Sequence, residues 1–318
     1  MPNPKVLIFE DTADWYARHL AARCPDFDFE AASNEDEAID KAPGTEILIG
    51  LPSNIPPRLI AACDRLKWIQ SLSAGVDSLV GMKEIGTNVT VTSCSGIHGP
   101  QMSELTLLLM MSLARQFPKM LANQRRGEWQ RWEQPVLLDR TVCIVGLGSI
   151  AERLASVCLA FGMRVTGVSD SRTSMQNVDT IHPRSALKEA VGEADFVVVL
   201  VPLSPETTNM IDADVLSAMK SEAFIINIAR GGVIKEADLI AALDAGTIAG
   251  AGLDVFGTEP LPSDSPFWER ANVIVTPHIG GVSDRYHKDA MPLVAKNLQA
   301  YAAGGSDALF NVVDIKQS

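Results

Sequence analysis

The sequence predicts an α/β protein that is built on parallel sheets and divided into two domains. Three observations support this prediction. Strand-like and helix-like segments alternate from end to end, the strand-like runs are rich in β-branched residues, and the chain has 318 residues. Continuous β-branched runs are typical of strands that are buried on both faces of a parallel sheet, with helices between them. A chain of this length can form two ordinary domains.

The first group of strand-like runs precedes a long helix. We predict that this helix begins at Gly99, because Pro100 suits a first helical position and apolar residues continue to Leu113. The strand-like runs before it are KVLIF, TEILIGL, KWIQSL and NVTVTS, and the helix-like segments DWYARHLAARC and PPRLIAAC lie between them.

The alternation restarts at Thr141 and is stronger there. A helix-like segment, KEADLIAALDAG, ends at Gly246, a residue type that commonly terminates helices. A last helix, over about 284–303, follows the final strand, and we expect it to cross back to the first domain. The predicted domains are therefore 1–98 with 283–318, and 99–282. The strand-like runs of the second domain are TVCIV, RVTGV, DFVVVLV, AFIINI, GAGLDV and NVIVT.

Composition excludes several classes of partner. The formal net charge of −12 argues against nucleic acid, because phosphate binding needs clustered Lys and Arg side chains. No apolar stretch reaches the ~18 residues of a membrane helix, and the first residues contain no secretory h-region. The five cysteines are odd in number and show no paired spacing. We therefore expect a cytoplasmic protein with reduced cysteines, no metal site and no membrane contact.

The segment TVCIVGLGSIAERLA places a glycine-rich turn between a strand and a helix. Gly146, Gly148 and Ala151 fit the pattern G-x-G-x-x-A, in which the first glycine permits the tight turn and the second lets the backbone approach a pyrophosphate. Asp170 ends the next strand-like run, close to the ~20-residue spacing expected of the acid that binds ribose hydroxyls. Strand, turn, helix and acid together predict a Rossmann-type dinucleotide-binding domain.

The residues around Asp170 bear on the choice of nucleotide. The Asp170 carboxylate should repel a 2′-phosphate, which favours NAD over NADP. Arg172, Ser169 and Ser171 lie beside it and can accept that phosphate, so NADP remains open.

Three polar residues follow three different strands of the second domain. Arg230 follows AFIINI, Glu259 follows GAGLDV and His278 follows NVIVT. Ligands of open α/β sheets bind at the carboxyl ends of the strands, so we expect these side chains to converge beside the nucleotide. Each residue alone is consistent with an ordinary surface or loop position; the convergence of all three favours function.

Their residue types suit the reduction of a 2-oxo acid by hydride. Protonated His278 can give its proton to the carbonyl oxygen and, in the reverse direction, neutral His278 can take it back. Glu259 would orient the imidazole and favour its charged form. The guanidinium of Arg230 would hold the substrate carboxylate with a fork that lysine lacks.

The chain resembles the D-isomer-specific 2-hydroxyacid dehydrogenase family over essentially its whole length. The matching segments are GLGSIAERLA, VPLSPETTNMI, FIINIARGGVI, AGAGLDVFGTEPLP and TPHIGG. The resemblance implies a Rossmann-type doubly wound sheet plus a smaller, discontinuous flavodoxin-like substrate domain. It also implies that Arg230 binds substrate, Glu259 supports the histidine and His278 is the acid/base.

The resemblance extends to further residues. It implies that Ser73, Ala74 and Gly75 belong to a substrate-binding loop, in which the backbone amides near Ala74 and Gly75 hold the substrate carboxylate. It also implies that Asp254 contacts the nicotinamide amide and that a homodimer forms through the nucleotide domain. The cofactor-binding positions expected on this basis are Gly146, Gly148, Ser149, Ile150, Asp170, Val201, Pro202, Thr207, Ala229, Asp254, His278 and Gly280.

The leading hypothesis is an NAD(P)-dependent 2-oxo acid reductase of the glyoxylate or hydroxypyruvate type. A nucleotide-sensing interaction module and a phosphite-oxidising enzyme are the alternatives, since relatives of both kinds can keep similar groups. The sequence does not name the acid, because side-chain shape effects in a cleft amount to only ~1–3 kcal/mol. Nor does it assign roles to His98, Trp129 and Trp132.

Overall fold

The computed structural model describes residues 3–315, which form two compact units. The first unit contains the chain up to Ile97 and from Ser283 onward, and the second runs from His98 to Val282. His98, at the predicted domain boundary, lies in the second unit, where its carbonyl accepts the N–H of Met102 at 3.2 Å and so begins a helix.

The first unit is a doubly wound sheet. Its strand order is β13-β5-β4-β3-β1-β2, and β13 pairs antiparallel with β5 while the other pairs are parallel. The order β2-β1-β3-β4-β5 confirms the flavodoxin-like prediction. Numbered in chain order through the molecule, its elements are β1 (Lys5–Phe9), α1 (Ala13–Ala21), β2 (Asp28–Ala32), α2 (Glu35–Lys41), β3 (Thr45–Gly50), α3 (Pro57–Ala62), β4 (Trp68–Ser71), β5 (Thr90–Thr92), α10 (Tyr286–Gly304) and β13 (Val312–Val313).

Buried polar side chains join the returning C-terminal segment to this sheet. The Asn297 amide on α10 donates to Gln70 Oε1 on β4 at 2.8 Å, and Asn297 Oδ1 accepts the N–H of Phe310 at 2.8 Å. Both amide side chains are fully buried. A buried amide that lost its partner would be costly, so these bonds fix α10 against the first unit.

The second unit is a seven-stranded parallel sheet in the order β12-β11-β10-β9-β6-β7-β8. The chain order reverses between β6 and β9, as in a Rossmann-type sheet, which confirms that prediction. Its elements are α4 (Gly99–Ala114), α5 (Phe117–Arg126), β6 (Thr141–Val145), α6 (Ser149–Ala160), β7 (Arg164–Val168), β8 (Thr180–His182), α7 (Leu187–Gly192), β9 (Phe196–Val199), α8 (Ala213–Ala218), β10 (Phe224–Asn227), α9 (Glu236–Asp244), β11 (Gly250–Leu253) and β12 (Val273–Val275).

The central strands of this sheet are buried on both faces, as the β-branched runs predicted. Along β6, Cys143 and Val145 belong to one apolar cluster, whereas Val142 and Ile144 belong to another. Alternate residues of a strand point to opposite faces, so the two clusters lie on opposite sides of the sheet. Within residues 3–315 no helix combines the length and apolar character needed to cross a membrane.

Candidate active site

Arg230, Glu259 and His278 follow three neighbouring strands. The strands β10, β11 and β12 are adjacent and parallel, so their carboxyl ends meet at one edge of the sheet. Each residue lies in the connection that leaves its strand. The strand order therefore brings Arg230, Glu259 and His278 to the same edge of the sheet, as expected from the sequence.

His278 and Glu259 form a direct hydrogen-bonded pair. The imidazole Nδ1 lies 2.6 Å from Glu259 Oε2, and Glu259 Oε1 accepts the N–H of Phe256 at 2.8 Å. Because that backbone bond fixes the carboxylate, the carboxylate in turn fixes the rotation of the ring. The His278 side chain remains 47% exposed, so its second ring nitrogen can reach a bound molecule.

The segment 276–281, which we call the catalytic loop, holds His278 in an unusual backbone conformation. His278 has a φ of 53°, in the left-handed region that side chains other than glycine rarely adopt. Its N–H donates to the carbonyl of Asp254 at 2.8 Å. The Asp254 carboxylate, almost fully buried, accepts from Thr276 and from two N–H groups of the same loop.

Arg230 is held by a residue that the sequence did not single out. The Asn227 side chain, 1% exposed at the end of β10, accepts the N–H of Ala229 at 3.1 Å and donates to the carbonyl of Arg230 at 3.0 Å. The Arg230 guanidinium donates to the carbonyl of Ala229 at 2.7 Å. Asn227 thus shapes the turn that carries the arginine. Its only signal in the sequence is its place as the first polar residue after an apolar strand.

The segment 146–151, which we call the phosphate turn, joins β6 to α6. Gly146 has a φ of 102°, and a Cβ there would lie 2.7 Å from the backbone nitrogen of Val201. Within the described part of the chain, the N–H groups of Gly148, Ser149 and Ile150 have no hydrogen-bond acceptor. Uncommitted N–H groups at the start of a helix suit an anion, so these residues fit a dinucleotide pyrophosphate.

Asp170 follows β7, on the far side of β6 from β9. Its carboxylate accepts the N–H of Arg184 at 2.8 Å and lies 2.8 Å from the Arg184 guanidinium. The neighbouring Arg172 pairs with Glu152 at 2.6 Å. Asp170 and Arg172, which bear on the choice of nucleotide, are therefore each paired with a residue of opposite charge. The sequence did not indicate these pairs.

The predicted cofactor residues Val201, Pro202 and Thr207 lie in the connection after β9. The Thr207 hydroxyl, almost fully buried, donates to the carbonyl of Pro202 at 2.7 Å and accepts the N–H of Ser204 at 2.7 Å. Thr207 therefore braces this connection from within. The backbone of Val201 lies against the phosphate turn, at the position that a Gly146 side chain would occupy.

The predicted substrate loop lies in the first unit, directly after β4. The N–H of Ser73 is taken by the hydroxyl of Ser71 at 2.9 Å, and the Ser73 hydroxyl donates to the carbonyl of Gly75. In the residues that the structure describes, the N–H groups of Ala74 and Gly75 have no acceptor. Of the three predicted residues, Ala74 and Gly75 thus keep backbone donors available, whereas Ser73 does not.

Three residues of unassigned role are also located. His98 is buried at the start of α4, where burial lowers its pKa, and its ring lies beside Gly281 of the catalytic loop. Trp129 is 88% exposed, and Lys119 lies over the ring of Trp132. Between residues 3 and 315, no group of three or more His, Cys, Asp or Glu side chains is placed to hold a metal ion.

Comparison with known proteins identifies the family. The profile described as "D-isomer specific 2-hydroxyacid dehydrogenase, NAD binding domain" matches residues 107–280. A glyoxylate reductase from Thermococcus onnurineus is 31% identical over 317 residues, which cover 95% of this chain and 94% of that protein. A D-3-phosphoglycerate dehydrogenase from Synechocystis is 30% identical over 95% of this chain and 57% of its own length. The chain thus spans little more than half the length of this protein and of the D-3-phosphoglycerate dehydrogenase from Methanocaldococcus jannaschii, which it also matches.

Solved structures agree with this result. A D-isomer specific 2-hydroxyacid dehydrogenase family protein from Aeromonas salmonicida superposes with a TM-score of 0.91 at 33% identity, covering 99% of this chain and 100% of that chain. An NADPH-dependent glyoxylate/hydroxypyruvate reductase from Sinorhizobium meliloti, in complex with NADP and sulfate, gives a TM-score of 0.83 at 27% identity, covering 98% of both chains. Sequence and fold comparisons together confirm the predicted family.

Proposed function

The chain belongs to the D-isomer-specific 2-hydroxyacid dehydrogenase family, and we propose that it is an NAD(P)-dependent oxidoreductase that interconverts a small 2-oxo acid and its D-2-hydroxy acid. The observation that carries this proposal is the 2.6 Å contact between His278 and Glu259. This pair lies at the same carboxyl edge of the sheet as a glycine-rich turn with uncommitted N–H groups.

His278 is proposed to move the proton. Its Nδ1 is occupied by Glu259, so its other ring nitrogen is the one available to the substrate oxygen. In the reducing direction protonated His278 donates to the carbonyl oxygen as negative charge develops there. When bound, the nicotinamide supplies the hydride for the carbonyl carbon. The Glu259 carboxylate stabilises the imidazolium before transfer and keeps its ring orientation afterwards.

Arg230 is proposed to bind the substrate carboxylate. Asn227 fixes the backbone on both sides of the arginine, which limits the positions that its guanidinium can take. A guanidinium presents parallel donors that match a carboxylate. The free N–H groups of Ala74 and Gly75 are proposed to bind a substrate carboxylate, as the family resemblance implies, with Ser73 shaping the loop through its own internal bonds.

The nucleotide is proposed to bind with its pyrophosphate on Gly148, Ser149 and Ile150, near Val201 and Pro202. Ala229, Asp254, His278 and Gly280 would surround its nicotinamide end. Asp170 favours NAD, because its carboxylate is suited to ribose hydroxyls and repels a 2′-phosphate. Arg184 balances part of that charge, and the Sinorhizobium relative is a complex with NADP, so NADP is the second cofactor to test.

Glyoxylate and hydroxypyruvate are the substrates that we propose first. A glyoxylate reductase and a glyoxylate/hydroxypyruvate reductase are among the proteins to which the chain is similar over nearly its whole length. Both acids are small and carry the carboxylate that Arg230 would bind. Phosphoglycerate is a third choice, since similarity to the phosphoglycerate dehydrogenases covers only part of their length.

The experiment is a substrate panel followed at the absorbance band of the reduced nicotinamide. Glyoxylate, hydroxypyruvate, pyruvate, phenylpyruvate and 2-ketogluconate are each mixed with NADH or with NADPH. We expect oxidation with at least one small 2-oxo acid, faster with NADH. Tight NADH binding without any oxidation of NADH would instead favour the nucleotide-sensing alternative. Phosphite mixed with NAD, followed by the appearance of NADH, tests the phosphite-oxidising alternative.

We also propose that the protein is a cytoplasmic homodimer. All five cysteines are free and buried, as expected of a reducing compartment.

The proposed dimer contact involves helices α4, α5 and α6 of the nucleotide unit. These helices carry exposed apolar side chains, and exposed apolar patches mark contact surfaces. Light scattering should give a dimer mass, and Leu121→Glu on α5 should shift it toward monomer. These exposed side chains are Leu108, Met111, Phe117, Leu121 and Leu159, and the exposed Phe161 directly follows α6.

A further inference from the structure

We infer that Asp254 is a positioning residue for His278, and that its carboxylate does this by holding the backbone of the catalytic loop. The inference rests on the proposed reductase function, because it concerns how the same site is built. Asp254 contacts the loop backbone and Thr276 rather than the imidazole, so it would act on the reaction through His278.

The Asp254 carboxylate collects donors from both sides of His278. Its Oδ1 accepts the hydroxyl of Thr276 at 2.5 Å and the N–H of Ile279 at 3.0 Å, and its Oδ2 accepts the N–H of Gly280 at 2.9 Å. The Asp254 carbonyl accepts the N–H of His278 itself at 2.8 Å. One residue at the end of β11 therefore anchors the loop before, at and after the histidine.

The backbone of His278 requires such an anchor. A φ of 53° is unfavourable for a residue with a side chain, and such a conformation persists only where neighbouring contacts over-determine it. Asp254 supplies those contacts, and it is only 1% exposed, so water cannot readily replace it. The imidazole is then presented to Glu259 from a fixed backbone.

The chemistry of this anchor requires a carboxylate. Every group that faces it is a donor, and an ionised carboxylate is an acceptor only, so all three contacts are charge-assisted. Asparagine has the same shape, but its amide nitrogen would face a hydroxyl or an N–H and leave one of these donors without an acceptor. A side chain at position 280 would crowd this anchor, because a Cβ there would lie 2.9 Å from Asp254 Oδ2 and from Met102 Sδ.

This role is compatible with the nicotinamide contact that the family resemblance implies. A carboxylate offers about four acceptor positions, and the loop uses three of them. One position on Oδ2 remains for an amide of the cofactor. Most of the acceptor capacity of Asp254 therefore serves the catalytic loop.

The test is Asp254→Asn, with kcat and KM measured separately in the full-length protein. We expect kcat for the best 2-oxo acid to fall about 100-fold, the size of effect that a misplaced catalytic group produces. The KM for NADH should change less than about 10-fold, because the phosphate turn is untouched and Asp254 offers the cofactor at most one hydrogen bond. Asp195→Asn is the matched control, since Asp195 accepts the N–H of Thr141 at 2.8 Å at the opposite edge of the same sheet. Its kcat should equal that of the wild type.

Thr276→Val and Thr276→Ser provide a second test that leaves the carboxylate in place. Valine removes one donor to Asp254 without changing the side-chain shape, so kcat should fall about 10-fold. Serine restores the hydroxyl and should restore kcat. The inference is overturned if Asp254→Asn keeps kcat within twofold, or if its loss appears entirely in NADH affinity. If Asp254→Asn does not fold, an unchanged kcat in Thr276→Val overturns it. Failure of the proposed function is distinct, because the wild type itself would then show no turnover.

Discussion

The phosphate turn and the catalytic loop lie at the same edge of one sheet, yet they use their backbone N–H groups in opposite ways. Each follows a parallel strand, β6 or β12, and each contains two glycines. In the phosphate turn, the N–H groups of Gly148 and Ser149 meet no acceptor in the part of the chain that the structure describes. In the catalytic loop, the N–H groups of Ile279 and Gly280 are both taken by the buried Asp254 carboxylate.

The difference shows how one sheet edge supports two kinds of task. Uncommitted N–H groups at a helix start attract an anion from solution, so the phosphate turn is suited to bind. N–H groups that are consumed by an internal carboxylate attract nothing, but they fix the loop and so aim one side chain. We therefore expect damage to the phosphate turn to appear in nucleotide affinity, and damage to the catalytic loop to appear in turnover.

The largest expected effect is that of His278→Ala. Removal of a general acid typically costs 10²–10⁴-fold, so we expect kcat to fall by about 1,000-fold. NADH affinity, measured by fluorescence titration, should stay within about twofold, because the phosphate turn is intact. Asp254 and Glu259 remain in place in this variant, and near-normal turnover would show that the proton comes from elsewhere.

Gly148→Asp tests the other side of the comparison. The glycine has an ordinary φ of −87°, and a Cβ built on it meets no atom within 4 Å, so the fold should accept the change. The added charge would repel the pyrophosphate, and we expect NADH affinity to fall about 100-fold, equivalent to ~2.8 kcal/mol. Gly148→Asn is the neutral control of equal size. Equal losses in both variants would mean that bulk rather than charge is responsible.

Arg230→Lys should affect the substrate rather than the nucleotide. Lysine keeps the charge but loses the paired donors, and the loss of a hydrogen bond to a charged group costs ~1.5–3 kcal/mol. We expect the KM for the 2-oxo acid to rise at least about 10-fold. Arg270→Lys is the control, because Arg270 binds both carboxylate oxygens of Asp244 at the surface. An unchanged KM in Arg230→Lys would exclude the carboxylate clamp.

Asp170→Asn should have a smaller effect, confined to the choice of nucleotide. Without the negative charge, the ratio of kcat/KM for NADH to that for NADPH should fall by about 10-fold, or ~1.4 kcal/mol. Arg184→Ala should move the ratio in the opposite direction, because it removes the partner of Asp170. Initial rates measured with NADH and with NADPH give this ratio for each variant. A ratio unaffected by either change would show that Asp170 does not face the ribose.

His98 provides the smallest prediction, on stability rather than activity. Burial lowers its pKa in the folded protein, so the unfolded chain binds a proton more readily. Its contribution to stability is therefore complete above the unfolded pKa of ~6.5 and is lost as the pH falls below it. The melting temperature of His98→Gln should decline less steeply than that of the wild type between pH 7.5 and 5.5. Parallel declines would contradict this assignment.

Both sheets could be predicted from the sequence because their central strands are local apolar runs. The prediction missed the two-residue strand β13 and also β2 and β8, which lie at sheet edges and are largely half-buried or exposed. Edge strands bury one side or less, so their sequences, DFEAA and TIH, lack the continuous apolar pattern. Helix α2 was missed for a similar reason, since only Ala38 of its residues is buried.

The sequence was enough to select the candidate site residues, but it did not indicate the residues that hold them in place. Residue type and place after a strand were enough to select Arg230, Glu259 and His278. The role of Thr276 depends on a contact between distant segments, its bond to Asp254, which follows the neighbouring strand, and the role of Asn227 depends on how the turn after β10 folds around its side chain. No local pattern encodes such a contact. The pairing of Asp170 with Arg184 escaped prediction for the same reason.

The most direct test of the division between binding and reaction is kcat extrapolated to saturating NADH in Gly148→Asp and in His278→Ala. If the phosphate turn only binds, Gly148→Asp should recover the wild-type kcat at high NADH, whereas His278→Ala should remain inactive at every concentration. A Gly148→Asp protein whose kcat stays low at saturation would contradict the account, as would a His278→Ala protein that NADH restores.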